Sequence, residues 1–436
     1  MKHGIGIASV LLAVQMGGTS AHAAGFALVE QGGSAMGNAF AGGAASAEDA
    51  STIFFNPAGM TYLPDNQLVM AAHAARPSIN FNTRTARSGA GTVMTGDNGG
   101  DGGGWSLLPN FYFEKSVSDS IRLGIGVNAP FGLNTEYDSN WVGRYQALET
   151  NLKAININPA IAFRASDALS LGFGISAMRA EATLTNAVDF GTICAGLSGC
   201  GIGATPQGND GGASLHGDSW AFGWNAGAIF QIDRNTRLGL AYRSQMHQNL
   251  NGTVTFSNVP AALKNTFSNG AISAKITMPD SLSASVFHHL NDRWDLMGDL
   301  TWTDWSIFQN LTAIRSSGGA TVVNTPEHWH NTTRTSVGAS YRYSDALKAR
   351  IGLAYDESPT PSAYRNPRAP GSDNYWLSLG ASYSITPVSS IDFGYAHLFI
   401  KGASLNQSTA GTPSGTLVGS YSNDANILSL QFAHTF

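Results

Sequence analysis

The chain has 436 residues, a formal net charge of −5 and only 12% charged residues, about half the roughly 25% typical of soluble domains. That balance excludes a nucleic-acid binder, which needs a basic footprint, and would leave a soluble surface of this size poorly covered. Apolar residues reach 43% and glycine 51 positions, yet no run of ~18 apolar residues follows the amino terminus, which excludes a helical membrane protein. An all-β fold, a transmembrane antiparallel barrel apolar on alternate residues only, reconciles these facts.

In chain order, Lys2 and His3 precede an apolar stretch from Gly4 to about Met16, and Ala21-His22-Ala23 has the small-x-small pattern of a signal-peptidase site. Residues 1–23 are therefore expected to be a cleaved secretory signal, too short to span a bilayer as a helix. Residues 24–65 show no alternation. They are rich in small residues (Gly32-Gly33-Ser34-Ala35, Ala41-Gly42-Gly43-Ala44-Ala45-Ser46) and run into Ile53-Phe54-Phe55-Asn56-Pro57-Ala58-Gly59. Small residues permit close backbone packing, which suits a plug confined in a lumen. The alternative is a flexible arm with an ordinary Asn-Pro turn.

Residues 66–436 carry the strand pattern. Leu169, Leu171, Phe173 and Ile175 alternate with Ser170, Gly172, Gly174 and Ser176. Tyr375, Leu377, Leu379, Ala381 and Tyr383 alternate with Trp376, Ser378, Gly380 and Ser382, and Ile391, Phe393 and Tyr395 with Asp392, Gly394 and Ala396. Period two over about ten residues is the pattern of a transmembrane strand. The second face carries small and polar residues, as a crowded lumen requires. Segment centres fall near 71, 109, 125, 157, 175, 225, 241, 281, 298, 336, 351, 380, 395 and 430, about fourteen, an even number as a single-chain bacterial barrel needs.

Short connections such as Ala165-Ser166-Asp167, Asp233-Arg234-Asn235 and Tyr343-Ser344-Asp345 are read as periplasmic turns. Long ones, about 184–217, 250–270, 306–328, 358–373 and 402–422, are read as external loops. Cys194 and Cys200 lie in a Gly-rich stretch of one such loop, where a local disulfide is the simplest outcome in an oxidising compartment. No partner C-x-x-C exists, so a metal site is disfavoured. At the carboxyl end Leu428, Leu430, Phe432, His434 and Phe436 share one face, which resembles the terminal-strand signal of outer-membrane proteins.

Several motifs lead nowhere. Gly172-Phe173-Gly174-Ile175-Ser176-Ala177 fits G-x-G-x-x-A but has no following helix, so a dinucleotide site is rejected. His288 and His289 point to opposite faces of a strand. His328 and His330 have no third ligand. No motif arranges Ser, His and Asp for hydrolysis. An enzyme is not expected, and no cofactor is implied.

Ala24-Gly25-Phe26, Asn38-Ala39-Phe40-Ala41-Gly42, Glu48-Asp49-Ala50 and above all Asn56-Pro57-Ala58 resemble the hatch of the FadL/TodX family of outer-membrane channels for hydrophobic compounds. The resemblance continues through Gly143-Arg144-Tyr145, Leu152 to Pro159, Trp220 to Gly227, Tyr242-Arg243-Ser244, Trp302-Thr303-Asp304-Trp305-Ser306, Asp356-Glu357-Ser358-Pro359 and Pro367-Arg368-Ala369-Pro370. It covers nearly the whole mature chain.

The resemblance implies a fourteen-stranded barrel plugged by an amino-terminal hatch. It implies passive uptake of long-chain fatty acids or similar hydrophobic small molecules, through an external loop groove, an internal pocket, hatch movement and a lateral exit beside a kinked third strand. The same family leaves aromatic or alkane hydrocarbons open as substrates. From other classes remain a structural or adhesive surface barrel and a general porin, the latter disfavoured by the sparse charge and the plug.

The residues so implied are Phe26, Arg179 and Asp356 at the ligand, and Asn56, Pro57 and Ala58 in the hatch. Ala129 followed by Pro130, Phe131 and Gly132 marks the strand break, where proline removes a ladder donor. Strict alternation puts Arg179 on the lipid side, so its role requires a bulge or a position above the bilayer. A second basic head-group position of the family is Thr312 in this sequence, and Arg315 has the wrong parity to replace it. Expected partners are outer-membrane lipid and lipopolysaccharide and the barrel assembly machinery. The barrel is expected in the bacterial outer membrane as a monomer.

Overall fold

A computed structural model describes residues 25–436 except 196, 198, 199, 201–203, 410 and 411. The expected signal at residues 1–23, and Ala24, lie outside the described residues. Fourteen staves form the wall. They are β1 (Gln67–Arg87), β2 (Ser106–Ser116), β3 (Ile121–Asn128 and Gly132–Glu136), β4 (Glu149–Arg164) and β5 (Leu169–Asp189). Next come β6 (Asp210–Gln231), β7 (Thr236–Arg243 and Met246–Ser257), β8 (Gly270–Met278 and Ser281–Asn291) and β9 (Trp294–Thr303 and Asn310–Arg315). The last are β10 (Thr321–Pro326 and Thr332–Arg342), β11 (Leu347–Asp356), β12 (Asn374–Thr386), β13 (Ser389–Ile400 and Ala403–Thr409) and β14 (Gly415–Thr435).

Each stave pairs antiparallel with the next, and β14 returns to β1, with Leu68 opposite His434 and Phe81 opposite Tyr421. Closure leaves no edge, the condition for a sheet that meets lipid. Alternation sets the two faces. On β5, Leu171, Phe173 and Ile175 are exposed while Ser170 and Ser176 are buried. On β12, Tyr375, Leu377 and Leu379 point out while Trp376 and Ser378 are buried.

The staves run further outward than the alternation suggested. The connection expected at 184–217 shrinks to the span between Asp189 and Asp210, and that at 250–270 to the span between Ser257 and Gly270. Within 306–328 lie Asn310–Arg315 and Thr321–Pro326, and within 402–422 lie Ala403–Thr409 and the start of β14. The span between Arg87 and Ser106 is a further long connection. Beyond the bilayer both faces of a strand are wetted, so the ladder continues after the hydrophobic alternation has stopped.

The segment ahead of β1 fills the lumen. It holds two short helices, Gly33–Met36 and Thr52–Phe55, and a 3-10 turn, Pro57–Tyr62. Its backbone lies directly on wall glycines. A Cβ at Gly172 would meet the Ala58 nitrogen at 2.2 Å, and one at Gly352 would meet the Asn38 carbonyl carbon at 2.1 Å. Small residues on both surfaces therefore seat the plug, and Gly172 serves that contact.

Candidate ligand site

The site is built where the staves break. β3 is interrupted at Ala129–Phe131, β7 at Ser244 and Gln245, β8 at Pro279 and Asp280, β9 between Thr303 and Asn310, and β10 between Pro326 and Thr332. At the β9 and β10 breaks the chain turns inward and buries Trp305, Phe308 and Trp329. These side chains, with Phe131, Met178, Met246 and others, form the largest apolar cluster of the lumen. Phe26 sits at its centre, 4.6 Å from Trp305, 5.5 Å from Trp329, 5.6 Å from Phe308 and 6.1 Å from Phe131 between ring centroids. Edge-on geometry dominates these pairs, as ring quadrupoles favour.

The amino-terminal strand supplies the hydrogen bonds that the β3 break removes. The Leu28 amide donates to the Pro130 carbonyl and the Gly132 amide to the Phe26 carbonyl, both at 2.9 Å. The Gln31 side-chain amide donates to the Ala129 carbonyl at 2.8 Å. Pro130 offers no N–H, so the ladder cannot continue there, and the hatch docks on the carbonyl that is left.

Between hatch and wall lies a cavity of about 160 Å³. One side is apolar, from Leu28, Phe54, Phe55, Phe131 and Trp305. The other side, on β7 to β11, carries Arg243, Arg334, Asp299 and Asp356 among serine and threonine hydroxyls. Arg243 is buried; it donates to the Phe54 carbonyl at 2.8 Å and lies 4.1 Å above the Phe54 ring. Arg334 donates to the Ala39 carbonyl at 2.9 Å, stands 4.0 Å from Asp356 and covers the Trp376 ring at 5.1 Å. Each guanidinium has five donors, more than these contacts use. Hydroxyl pairs such as Ser283 with Thr301 at 2.8 Å continue the polar wall.

A second, smaller cavity of about 40 Å³ lies outward of the first, lined by Leu184, Leu215, Leu250, Ile272, Leu311 and Val323 among others. Leu250 and Ile276 belong to both the outer lining and the inner apolar cluster, which makes one apolar path. The loop after β11 crosses the mouth, where Arg368 donates to the Glu149 carbonyl and the Thr150 hydroxyl at 3.1 and 3.2 Å.

The residues singled out from the sequence separate into three groups. Phe26, Asp356, Pro57, Pro130 and Phe131 are brought to or beside the cavity, and Gly132 joins through its amide. Asn56 and Ala58 lie behind it, fully buried. The Asn56 amide donates to the carbonyls of Ala44, Ala228 and Leu240 at 2.7, 3.1 and 3.3 Å, and its oxygen accepts from the Ala58 amide at 3.1 Å. It thereby ties the hatch to β6 and β7. Arg179 is not brought in. Its register with Trp220 is unbroken, so it keeps the lipid-side parity, half exposed and 3.4 Å from Asp218. Thr312 also points away from the apolar groove formed by its neighbours Leu311 and Ala313, and binds Asn324 at 2.9 Å. Arg315 donates to the Ser268 carbonyl.

The sequence reading gave Arg243 and Arg334 no role. The usable signal was parity: Thr332, Arg334, Ser336 and Gly338 share the lumen face of β10, and an arginine there is rare in so charge-poor a chain. Cys194 and Cys200 form a disulfide. Among the described residues no His, Cys, Asp and Glu cluster is arranged to hold a metal ion.

A closed barrel with a hatch in its lumen and an apolar cavity between the two defines a plugged outer-membrane channel. The pattern described as Outer membrane protein transport protein (OMPP1/FadL/TodX) matches residues 14–436, and the chain belongs to that family. It is 30% identical over 423 residues to the long-chain fatty acid transport protein of Shigella flexneri, covering 92% of this chain and 93% of the relative. Outer membrane protein P1 of Haemophilus influenzae is 32% identical over 403 residues, covering 87% and 86%. Among solved structures, a Pseudomonas aeruginosa FadL homologue superposes with a TM-score of 0.88 at 28% identity, covering 95% of this chain and 100% of that one. The Ralstonia pickettii toluene transporter TbuX, at 20% identity, TM-score 0.66 and coverage of 93% and 98%, shares the fold.

Proposed function

We propose that this chain is a passive outer-membrane uptake channel for long-chain fatty acids or closely related carboxylate amphiphiles. The observation that carries this reading is the two-sided cavity: aromatic and aliphatic on the hatch and β3 side, with Arg243 and Arg334, beside Asp299 and Asp356, among hydroxyls on the opposite wall. A buried arginine with donors to spare suits a carboxylate. Each methylene held in water costs about 0.8 kcal/mol, so a long chain favours the apolar path from the outer groove to the inner cavity over an aqueous pore. Ligand arrival displaces the Phe26–Leu28 strand, and the break at Pro130 and Phe131 gives a lateral exit to the membrane. Residues 24–65 act as the hatch and 66–436 as the barrel, with residues 1–23 removed on export. The closed wall works as a monomer inserted by the barrel assembly machinery.

A hydrocarbon substrate has one observation in its favour: the lining of the outer cavity is almost wholly apolar. The long-chain fatty acid reading and the hydrocarbon reading part in uptake assays. Loss of the protein should slow oleate uptake and leave small polar solutes unaffected; unchanged oleate uptake would falsify the fatty-acid reading.

A further inference from the structure

The ladder between β6 and β7 has a gap. Its lower register pairs Asn225 with Arg243 and continues to Gln231 and Arg237. Its upper register pairs Asp218 with Asn251 and continues to Gly212 and Ser257. No ladder pair joins 219–224 to 244–250, and the upper register is one residue out of step with the lower. The β5–β6 ladder is continuous, with Met178 opposite Ala221 and Ala177 opposite Phe222, and the β7–β8 ladder keeps its register across a lapse at Ser244 and Gln245, between Arg243 opposite Ser281 and Met246 opposite Met278.

Side chains bridge the gap only at its ends. Ser244 exchanges two bonds with Trp224, its amide to the carbonyl and its hydroxyl from the amide, both at 2.9 Å. At the other end Ser219 donates to Gln248 at 2.6 Å. Lipid offers a backbone amide no partner, so an interrupted ladder in a membrane wall is costly, and such irregularities concentrate next to functional sites.

The inner side of the gap opens on the ligand site. Ala221, Met246 and Leu250 belong to the same apolar cluster as Phe26 and Phe131. Asn225, Ala226 and Arg243 line the cavity itself. The slot is filled by Met246, whose Cγ lies 2.8 Å from where a Gly223 Cβ would stand. An unbranched thioether is the side chain best able to fold aside.

The outer side has two unlike lips. On β6 the aromatic residues Trp220, Phe222 and Trp224 are exposed, Phe222 by 74%. On β7 the outward residues are His247, Asn249 and Asn251, also exposed. One register line also joins the gap to the end of the strand segment before the β3 break. Val127 pairs with Ile157, Ile157 with Ala177, and Ala177 with Phe222. The cavity thus meets two wall interruptions, with β4 and β5 standing between β3 and the seam.

We propose that the β6–β7 seam is a second lateral portal, through which the hydrocarbon chain of the amphiphile in the cavity passes to and from the membrane. Met246 is its shutter, the aromatic lip receives the chain, and the amide and imidazole lip holds the polar end. The portal rests on the uptake-channel reading. Phe222→Cys with His247→Cys, in the full-length chain, places thiols at outward positions that the flanking registers bring together. Oxidation closes the seam and reductant reopens it, with wild type treated identically because Cys194–Cys200 is also reducible. Oleate uptake should fall to about half or less on closure and recover on reduction. An unchanged rate overturns the portal, whereas absence of oleate uptake by wild type overturns the channel reading beneath it. Should the pair fail to fold or close, a fatty acid with a mid-chain diazirine is photolysed with the wild-type barrel in lipid bilayers. Labelling of Phe222 above that of outward Phe393 on the far wall is expected; equal labelling overturns the portal.

Discussion

At the end nearest the short turns the hatch is clamped by charge. Glu48 is held by Lys348 at 2.7 Å and Arg350 at 2.5 Å, and Arg350 also holds Asp392 at 2.9 Å. Burial pushes the Glu48 carboxyl up, but Arg350 and Lys348 outweigh it and keep it far below the carboxylate range. Asp49 accepts from Ser34 at 2.5 Å and Gln431 at 2.8 Å. At the other end Phe26–Leu28 is held by apolar contact and a few backbone bonds on a broken strand. Opposed charges anchor; aromatic packing beside a cavity can be replaced by a ligand of similar surface. The difference makes Glu48–Asn56 the fixed part of the hatch and Phe26–Leu28 the part that yields.

The greatest change comes from abolishing both ends. A chain lacking residues 24–60 should conduct ions in planar bilayers where the full chain is silent, and a silent truncated barrel would contradict the plug. Next, Arg350→Ala leaves buried Asp392 without its partner, a loss of about 3–5 kcal/mol for a broken buried pair. Hydrogen exchange of the 33–50 backbone should then rise sharply while that of 26–28 changes little; equal changes would erase the contrast between the two ends.

A smaller effect is expected from Glu30, whose carboxyl is buried and pushed up to about 7 by that burial, with Arg334 partly offsetting it. A carboxyl raised in the folded state contributes stability fully below its ordinary range, and loses it as pH rises through about 7. The yielding end should therefore loosen as pH rises from the ordinary carboxylate range to about 7 and change little above it, read as protease sensitivity near Phe26, and Glu30→Gln should flatten that dependence. A profile unchanged by the substitution would remove Glu30 from the account. The least effect belongs to Arg179→Ala, because an exposed ion pair contributes about 0–1 kcal/mol and the side chain faces away from the cavity. A large, acid-specific loss of uptake would show that Arg179 reaches the ligand in another state.

Alternation made the wall legible, since lipid on one side and a crowded lumen on the other impose opposite demands on neighbouring residues. It stopped at the bilayer edge, so Thr185, Ser214 and His216, though paired in β5 and β6, looked like loop. The hatch was legible through small residues and Asn56-Pro57-Ala58. The polar wall was not, because Arg334 gains its meaning from Asp356, which only the pairing of β10 with β11 brings opposite it. Arg179 shows the converse: a motif position can match while parity turns the side chain outward.

The central claim is that the cavity holds a carboxylate through the β7–β11 wall. Its most direct test is the affinity of the purified full-length barrel for oleate against oleyl alcohol, in wild type and Arg334→Gln. Hydrogen bonds to a charged group contribute about 1.5–3 kcal/mol, so oleate should bind roughly tenfold or more tighter than the alcohol in wild type, and Arg334→Gln should bring the two together. Equal binding of acid and alcohol by wild type would contradict the account.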